Sequence, residues 1–341
     1  MTNTLPGMFR SPLTSSRKGA RACVAAACML AISGCALAAD TPSGKPALAV
    51  TPAPHTVGAL GATMLSAATV GKRVVSVGDH GAILLSDDEG EHFRQATLVP
   101  VSSMLTSVSF ANDKTGWAVG QWGAILRTDD AGETWRIQRV DVANDRPFFS
   151  VYFKDKSEGW AVGLWSLMLH TTDGGSTWQE VALPPPPGSA KADVNLYSMF
   201  ANAKGELFIP AERGFVLRST DAGKSWTYLT TGYAGSFWSG AALKDGTLLV
   251  GGLRGSIYRS SDDGQSWSNV STALHSSVNG ILQRSNGTVL AIALDGVSML
   301  SNDQGKTFGA AQRSDRLPLT AVTQTQGGKV VVFSDSGPVK Q

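Results

Sequence analysis

Short hydrophobic runs separated by turn-forming residues recur along most of the chain. A representative pair is Trp117–Gly120 followed by Gly123–Leu126, where β-branched, aromatic and small apolar residues flank a tight turn. Runs of this length and composition are typical of β-strands, because such side chains pack well on a pleated surface. The pattern therefore predicts a series of short antiparallel hairpins.

An eight-residue polar motif with a central aspartate and glycine punctuates these hairpins. It occurs six times, in the form Ser/Thr-x-Asp-x-Gly-x-Ser/Thr-Trp/Phe with small variations. Successive aspartates are 42, 43, 48, 41 and 41 residues apart, and a regular period of this kind indicates a repeat architecture. The six aspartates are Asp88, Asp130, Asp173, Asp221, Asp262 and Asp303.

The motif has the chemistry of a turn. An aspartate side chain accepts hydrogen bonds from backbone N–H groups a few residues further on, and glycine takes a positive φ without strain. The aromatic residue that follows places a large apolar side chain against a neighbour. We therefore interpret the six aspartates as structural, in preference to catalysis or Ca²⁺ binding.

A second signature marks the first strand of each repeat and occurs seven times. Its third residue is small in every copy, as crowding near a central axis requires. The copies begin at Met64, Leu105, Phe148, Leu196, Phe237, Val278 and Leu319.

Four short strands per repeat of about 42 residues predict an all-β fold, a single seven-bladed β-propeller of four-stranded antiparallel blades. Residues 319–341 supply only three strands, so we expect residues 47–57 to complete the last blade and join the two termini. A six-bladed ring with a C-terminal appendage is the alternative.

The N-terminal region has the features of an export signal. Four basic residues precede the twelve-residue apolar run Ala22–Ser33, which is shorter than the roughly 20 residues that a membrane-spanning helix needs. We expect residues 1–39 to be a signal peptide, or residues 1–34 if Cys35 is lipidated in a lipoprotein box. Residues 40–54 then form a proline-rich tether, and residues 47–341 form the propeller. The expected location is the periplasm or a membrane leaflet of a Gram-negative envelope.

Charge and cysteine content narrow the function. Loss of residues 1–34 removes four bases and no acids, so the formal charge changes from +2 to −2 and non-specific nucleic-acid binding is not expected. All three cysteines, Cys23, Cys28 and Cys35, lie at or before residue 35, so the exported body has no disulfide. The five histidines show no metal spacing, and we expect neither a metal nor a cofactor.

Candidate binding residues lie at the turns between the second and third strands, on the propeller face opposite the aspartate motifs. Tryptophan, tyrosine and arginine are enriched where proteins anchor partners. Packing between blades is the alternative role for each of them. The candidates are Trp122, Trp165, Arg213 and Arg254 in the turns, Tyr197 and Trp238 near the first strands together with Phe149, and Arg146 in a connection between blades.

The repeated motif resembles the Asp box of bacterial neuraminidase repeats. The strands Gly116–Gly120 and Gly159–Gly163 and the run Gly123–Thr128 resemble, more specifically, the photosystem II stability/assembly factor family. This resemblance covers Leu65–Lys340. It implies a non-enzymatic propeller that binds membrane-protein partners or assembly intermediates, with relatives in non-photosynthetic bacteria beside envelope transport systems. The arginine-rich patch of that family has only a partial counterpart here.

We therefore expect a monomeric, non-enzymatic protein that holds a membrane protein or an envelope assembly complex. One alternative is a sialidase- or glycosidase-type hydrolase, for which Arg213 and Arg254 with Tyr197 or Tyr233, or the carboxylates of Glu212 and Asp295, are the available groups. A periplasmic glycan or peptide receptor is the other.

Overall fold

Seven antiparallel sheets follow one another along the chain in the computed structural model, which describes residues 50–272 and 275–340. The signal peptide, Cys35 and most of the tether lie outside these residues. Helical segments in the described part are short 3-10 turns, and none is long and apolar enough to cross a bilayer.

Each sheet is one blade, with its strands paired in chain order. Blades one to three consist of β1 (Met64–Val70), β2 (Arg73–Gly78), β3 (Ile83–Ser86) and β4 (Arg94–Gln95); β5 (Leu105–Phe110), β6 (Gly116–Gly120), β7 (Ile125–Thr128) and β8 (Arg136–Arg139); and β9 (Phe148–Phe153), β10 (Gly159–Gly163), β11 (Met168–Thr171) and β12 (Gln179–Glu180).

Blades four to six also have four strands each, and the described part of blade seven has three. Their strands are β13 (Phe200–Ala201), β14 (Leu207–Pro210), β15 (Phe215–Ser219) and β16 (Thr227–Thr230); β17 (Phe237–Ala242), β18 (Leu248–Gly252), β19 (Ile257–Ser260) and β20 (Ser268–Val270); β21 (Val278–Gln283), β22 (Val289–Ala293), β23 (Val297–Ser301) and β24 (Gly309–Gln312); and β25 (Leu319–Gln324), β26 (Val330–Ser334) and β27 (Gly337–Pro338).

The core lies between blades, so the second strands are buried on both faces. Every residue of β6 and β10 is buried, which explains why both strands are apolar throughout and do not alternate. Trp117 of blade two stacks on Phe153 of blade three with ring centroids 3.4 Å apart. The all-β seven-bladed propeller predicted from the repeats is confirmed.

Hydrogen bonds join the first strands of adjacent blades around the ring. In blades one to three the small third residue of the signature is a serine whose hydroxyl accepts such a bond, whereas blades six and seven have Gly280 and Ala321 there. The three bonds of this type run from Val108 N to Ser66 Oγ (3.3 Å), Val151 N to Ser107 Oγ (3.2 Å) and Met199 N to Ser150 Oγ (3.1 Å).

The expected closing strand from residues 47–57 is absent from the described part of the chain. Residues 50–56 instead lie against blade one. Ala53 N donates to Val99 O (3.0 Å), and Gln95 Nε2 donates to Pro54 O (2.8 Å). Pro52 and Pro54 have no N–H to donate to a strand ladder. The ring closes where β25 packs on β1 and where Phe93 meets Phe333 edge to face at 5.5 Å.

Candidate binding face

The six Asp boxes form the turns between the third and fourth strands. In blade two, Thr128 Oγ1 donates to Asp130 Oδ1 (2.8 Å) and accepts from Gly132 N (2.9 Å). Thr134 completes the turn, donating from its N–H to Asp130 Oδ1 (2.9 Å) and from its hydroxyl to Oδ2. In blade one, His92 replaces this threonine, with Nδ1 2.7 Å from Asp88 Oδ2. The aspartate oxygens are therefore engaged within their own turns.

Each Asp box packs against the preceding blade. A Cβ built on Gly132 of blade two would lie 3.3 Å from Val75 of blade one, and one on Gly90 of blade one would lie 2.7 Å from Val331 of blade seven. The same relation holds for the boxes of blades three to six. In the described residues, no group of three or more His, Cys, Asp or Glu side chains could hold a metal ion.

The opposite face presents the turns between the second and third strands. In blades one to six the residue before the glycine position has a positive φ although it is not glycine. An L-residue pays roughly 1–2 kcal/mol for this left-handed conformation. The residue before the glycine of the Asp boxes has the same conformation in blades one, two, four, five and six, so a positive φ is a feature of both kinds of turn. The residues are His80 (φ 54°), Trp122 (58°), Trp165 (51°), Arg213 (58°), Arg254 (57°) and Asp295 (59°).

Five of these turns are 3-10 segments held by the first strands. The N–H that opens each turn donates to the carbonyl of the residue just before the first-strand signature, as from Gln121 N to Met104 O (3.0 Å). The conformation of each turn is thus fixed by backbone hydrogen bonds, and the central residue of the turn differs between blades. The segments are Asp79–Gly81, Gln121–Gly123, Leu164–Ser166, Glu212–Gly214 and Leu253–Gly255.

Trp165 is the most exposed large hydrophobic residue of these turns, at 62% relative accessibility. Its backbone N–H donates to Asn195 Oδ1 of blade four (2.9 Å). The next residue, Ser166, has φ 58° where other turns have glycine, and its N–H donates to Val194 O (2.7 Å). The adjoining blade therefore holds the Trp165 turn in its strained shape.

Asn195 and Tyr197 both bind the carboxylate of Glu212. Asn195 donates from its backbone N–H to Oε2 (3.0 Å) and from Nδ2 to Oε1 (2.9 Å), and the Tyr197 hydroxyl donates to Oε1 (3.2 Å). Tyr197 also stacks on Phe149 of blade three at 5.5 Å. Burial, with a smaller contribution from the charge of Glu212, raises the pKa of the Tyr197 phenol, so the hydroxyl remains a donor at neutral pH.

Two of the predicted arginines are engaged in ion pairs. Arg146 pairs with Glu180 through two contacts of 3.2 and 3.0 Å, and Arg213 Nη1 lies 3.2 Å from Asp193 Oδ1. Arg254 is exposed, and its backbone N–H donates to Ser277 Oγ (3.3 Å). The basic character expected of this face is therefore reduced in blades three and four.

Trp122 and Trp238 lie apart from the Glu212 network. Trp122 lines a cavity of about 270 Å³ between blades one and two, together with His80 and Met104. Trp238 occupies the bulge of β17, where a bulged residue is turned away from the strand pairing. The structure thus connects Trp165 to Tyr197 through Asn195 and Glu212, and the other candidates are not part of this network.

Sequence reasoning missed Asn195 and Asp193, and it considered Glu212 only as a catalytic acid. Asn195 stands immediately before the first-strand signature of its repeat. A polar side chain there, as also in Ser236 and Ser277, was the available signal, because this position lies beside the turn of the preceding blade.

Comparison with known proteins agrees with this architecture. Residues 91–249 match the family model described as photosynthesis system II assembly factor YCF48. No curated protein matches the sequence. A solved structure of YCF48 bound to a D1 peptide is similar at 19% identity, with a TM-score of 0.66 over 82% of this chain and 92% of that one.

Two further structures show how far the fold is shared. YCF48 from Cyanidioschyzon merolae is 14% identical, with a TM-score of 0.65 over 85% of this chain and 98% of that one. The WD40 propeller domain of Doa1 is 13% identical, with a TM-score of 0.63 over 80% and 90%. Residues 91–249, just under half of the chain, thus match the YCF48 family model, and the described residues share the propeller fold of the solved YCF48 structures.

Proposed function

We propose that this protein is a non-enzymatic binding propeller of the bacterial envelope, which holds an exposed segment of a membrane-protein partner on the turn face of blades three to five. The observation that carries the proposal is Trp165, an exposed indole on a strained turn that the next blade holds in place. Exposed tryptophans contribute strongly to interfaces, because they bury a large apolar area at low entropic cost.

Two further observations support a membrane-protein partner. The N-terminal sequence has the basic and apolar segments of an export signal. The structurally similar YCF48 was solved with a D1 peptide, and a peptide segment of a partner would likewise suit a face built from separate turns.

Crosslinked capture from solubilised envelopes tests the proposal. We expect the parent protein to recover a specific membrane protein, and the double variant Trp165→Ala with Arg254→Ala to lose it. Leu300→Ala is the matched control, because Leu300 is also an exposed apolar residue (39%) but lies on β23 of blade six. Equal capture by the parent and the double variant would refute the proposal.

Lipidation of Cys35 is a separate part of the envelope proposal. A palmitate label that disappears in Cys35→Ala would place the protein on a membrane leaflet, because several acyl chains give lasting attachment. An unlabelled parent protein would instead favour a free periplasmic form with residues 1–39 removed.

One contact favours the hydrolase alternative. The Tyr197 hydroxyl lies 3.2 Å from Glu212, as a tyrosine nucleophile and its carboxylate partner would. A sialidase also needs several arginines for the substrate carboxylate, and Arg146 and Arg213 are engaged with Glu180 and Asp193. Hydrolysis of a fluorogenic sialoside that Tyr197→Phe abolishes would establish the alternative. We expect no turnover.

A further inference from the structure

The Glu212 carboxylate lacks a cationic neighbour in the described part of the chain. The adjacent Arg213 extends to Asp193, and the ion pairs of the described residues do not include Glu212. Its three hydrogen bonds come from the neutral groups of Asn195 and Tyr197. These bonds orient the carboxylate and leave its negative charge uncompensated.

Aromatic rings lie directly beside this charge. Tyr197 donates to Glu212 and stacks on Phe149 with the two ring planes 19° apart. The face of an aromatic ring attracts cations through its quadrupole. A positively charged group at this place would therefore be attracted both by the partly exposed carboxylate and by the stacked rings.

The position of the rings follows from a difference between blades. In blades two, six and seven the bulged residue of the first strand donates to a carbonyl of the next blade: Thr106 to Phe148 O, Asn279 to Leu319 O, and Thr320 to Met64 O. In blades three to five the corresponding residues are Phe149, Tyr197 and Trp238. Blades three to five thus have an aromatic side chain where blades two, six and seven have a polar residue that joins the blades, and blade one has Leu65 at this position.

We infer that Glu212, Tyr197 and Phe149 form a recognition site for a cationic side chain, lysine or arginine, of the bound partner segment. The inference rests on the proposed function, and it specifies which residue of the partner segment this part of the face selects. Trp165, positioned through Asn195, lies beside the site and supplies apolar area for the flanking residues. An acidic or purely aliphatic side chain at this point would leave the Glu212 charge without a partner.

Binding of N-acetyl-lysine methylamide, compared with its norleucine isostere, tests the site in the whole exported chain. Saturable shifts of indole N–H signals in NMR spectra report binding. We expect the lysine probe to bind the parent, and to bind Glu212→Gln about tenfold more weakly, since a charge-assisted contact is lost. The norleucine probe should bind weakly to both proteins.

Asp335→Asn is the matched control. Asp335 occupies the same first position of the corresponding turn in blade seven, on the same face, and its carboxylate accepts from the neighbouring Ser336 hydroxyl (3.0 Å). This variant removes one negative charge from the face and should bind the lysine probe as the parent does. Phe149→Leu keeps the carboxylate and removes a ring, so it should weaken binding of the lysine probe. It tests the site independently if Glu212→Gln fails to fold.

Equal binding of the two probes, or a lysine affinity unchanged by Glu212→Gln, would overturn the inference, and so would an absence of saturable binding. Partner capture that still depends on Trp165 would then leave the proposed function standing. Capture that does not depend on Trp165 would refute the proposed function whatever the lysine probe shows.

Discussion

At the residue scale, each Asp box depends on one buried hydroxyl. Thr128, fully buried, donates to Asp130 and accepts from Gly132 N, so it links both ends of its turn. Serine or threonine occupies this place in all six boxes. The hydroxyl is as much a part of the motif as the aspartate, because without it a buried N–H would have no partner.

Replacement of this hydroxyl is expected to destabilise the protein. Thr128→Val keeps the shape of the side chain but leaves Gly132 N without an acceptor, which costs roughly 1–3 kcal/mol. Chemical denaturation measures the loss, and Thr128→Ser, which keeps the hydroxyl, should lose less. Equal stability of Thr128→Val and the parent would contradict this role.

Acid should reduce the stability that the Asp-box carboxylates contribute, over a defined range of pH. Hydrogen bonds from Ser225, through its side chain and then its backbone, lower the pKa of Asp221 from its ordinary 3.8 to about 2. The pKa of Asp262 is lowered to about 2 in the same way, by Ser266. A carboxyl whose folded pKa is depressed adds stability above its unfolded pKa, and this stability is lost as the pH falls.

We therefore expect the denaturation midpoint to be steady above pH about 4 and to fall between pH about 4 and 2. Urea titrations at closely spaced pH values would show it. A midpoint that does not change over that range would mean that the box hydrogen bonds do not favour the charged carboxylates.

At the element scale, the turns of the binding face combine a fixed frame with variable centres. The first-strand carbonyls hold the frame, and residues as different as Trp165, Arg213 and Asp295 adopt the same left-handed backbone in it. Non-glycine residues of the Asp boxes, such as Ala131 and Asp263, adopt the same conformation, so the strain belongs to the repeated turn and only the identity of the side chain differs between blades.

Trp165→Gly should separate stability from binding. Glycine relieves the strain of φ 51° but increases the freedom of the unfolded chain, so the two effects oppose each other and the free energy of unfolding should stay within about 1 kcal/mol. Partner capture should be lost. A large loss of stability would show instead that the indole packs as part of the fold.

The sequence was sufficient for the repeats and insufficient for the details of the site. Spacing of the Asp boxes predicts the blades, because each box recurs at the same turn. The link from Trp165 through Asn195 to Glu212 joins residues of two blades, so no local pattern encodes it. No strand forms at residues 50–57, the described part of the closing strand expected from residues 47–57, and a count of strands says nothing about where prolines can pair.

At the scale of the whole molecule, the ring closes through packing and side-chain contacts between its first and last blades. Phe93, Met64 and Val74 of blade one form a cluster with Phe333 and Val331 of blade seven. Gly90 lies against Val331, where no Cβ fits. The closure depends on this seam because no fourth strand of blade seven occurs among the described residues.

Gly90→Ala should therefore destabilise the protein more than Gly246→Ala. Both glycines have positive φ, 81° and 88°, but a Cβ at Gly246 meets nothing within 4 Å. The shared backbone strain should cost about 1–2 kcal/mol, and crowding against Val331 should add roughly 1–3 kcal/mol at Gly90. Equal losses of unfolding free energy in the two variants would show that the residues around Gly90 and Val331 accommodate a Cβ without a free-energy cost.

Each Asp box packs against the preceding blade, and this direction of packing determines when each box is covered during biosynthesis. As the chain leaves the ribosome, the boxes of blades two to six each meet a neighbour that has already been made. The box of the first blade contacts the seventh blade. Phe93 therefore stays uncovered until Phe333 has been synthesised, about 240 residues later. Nascent chains that stop short of the last blade should therefore expose this apolar surface and attract chaperones.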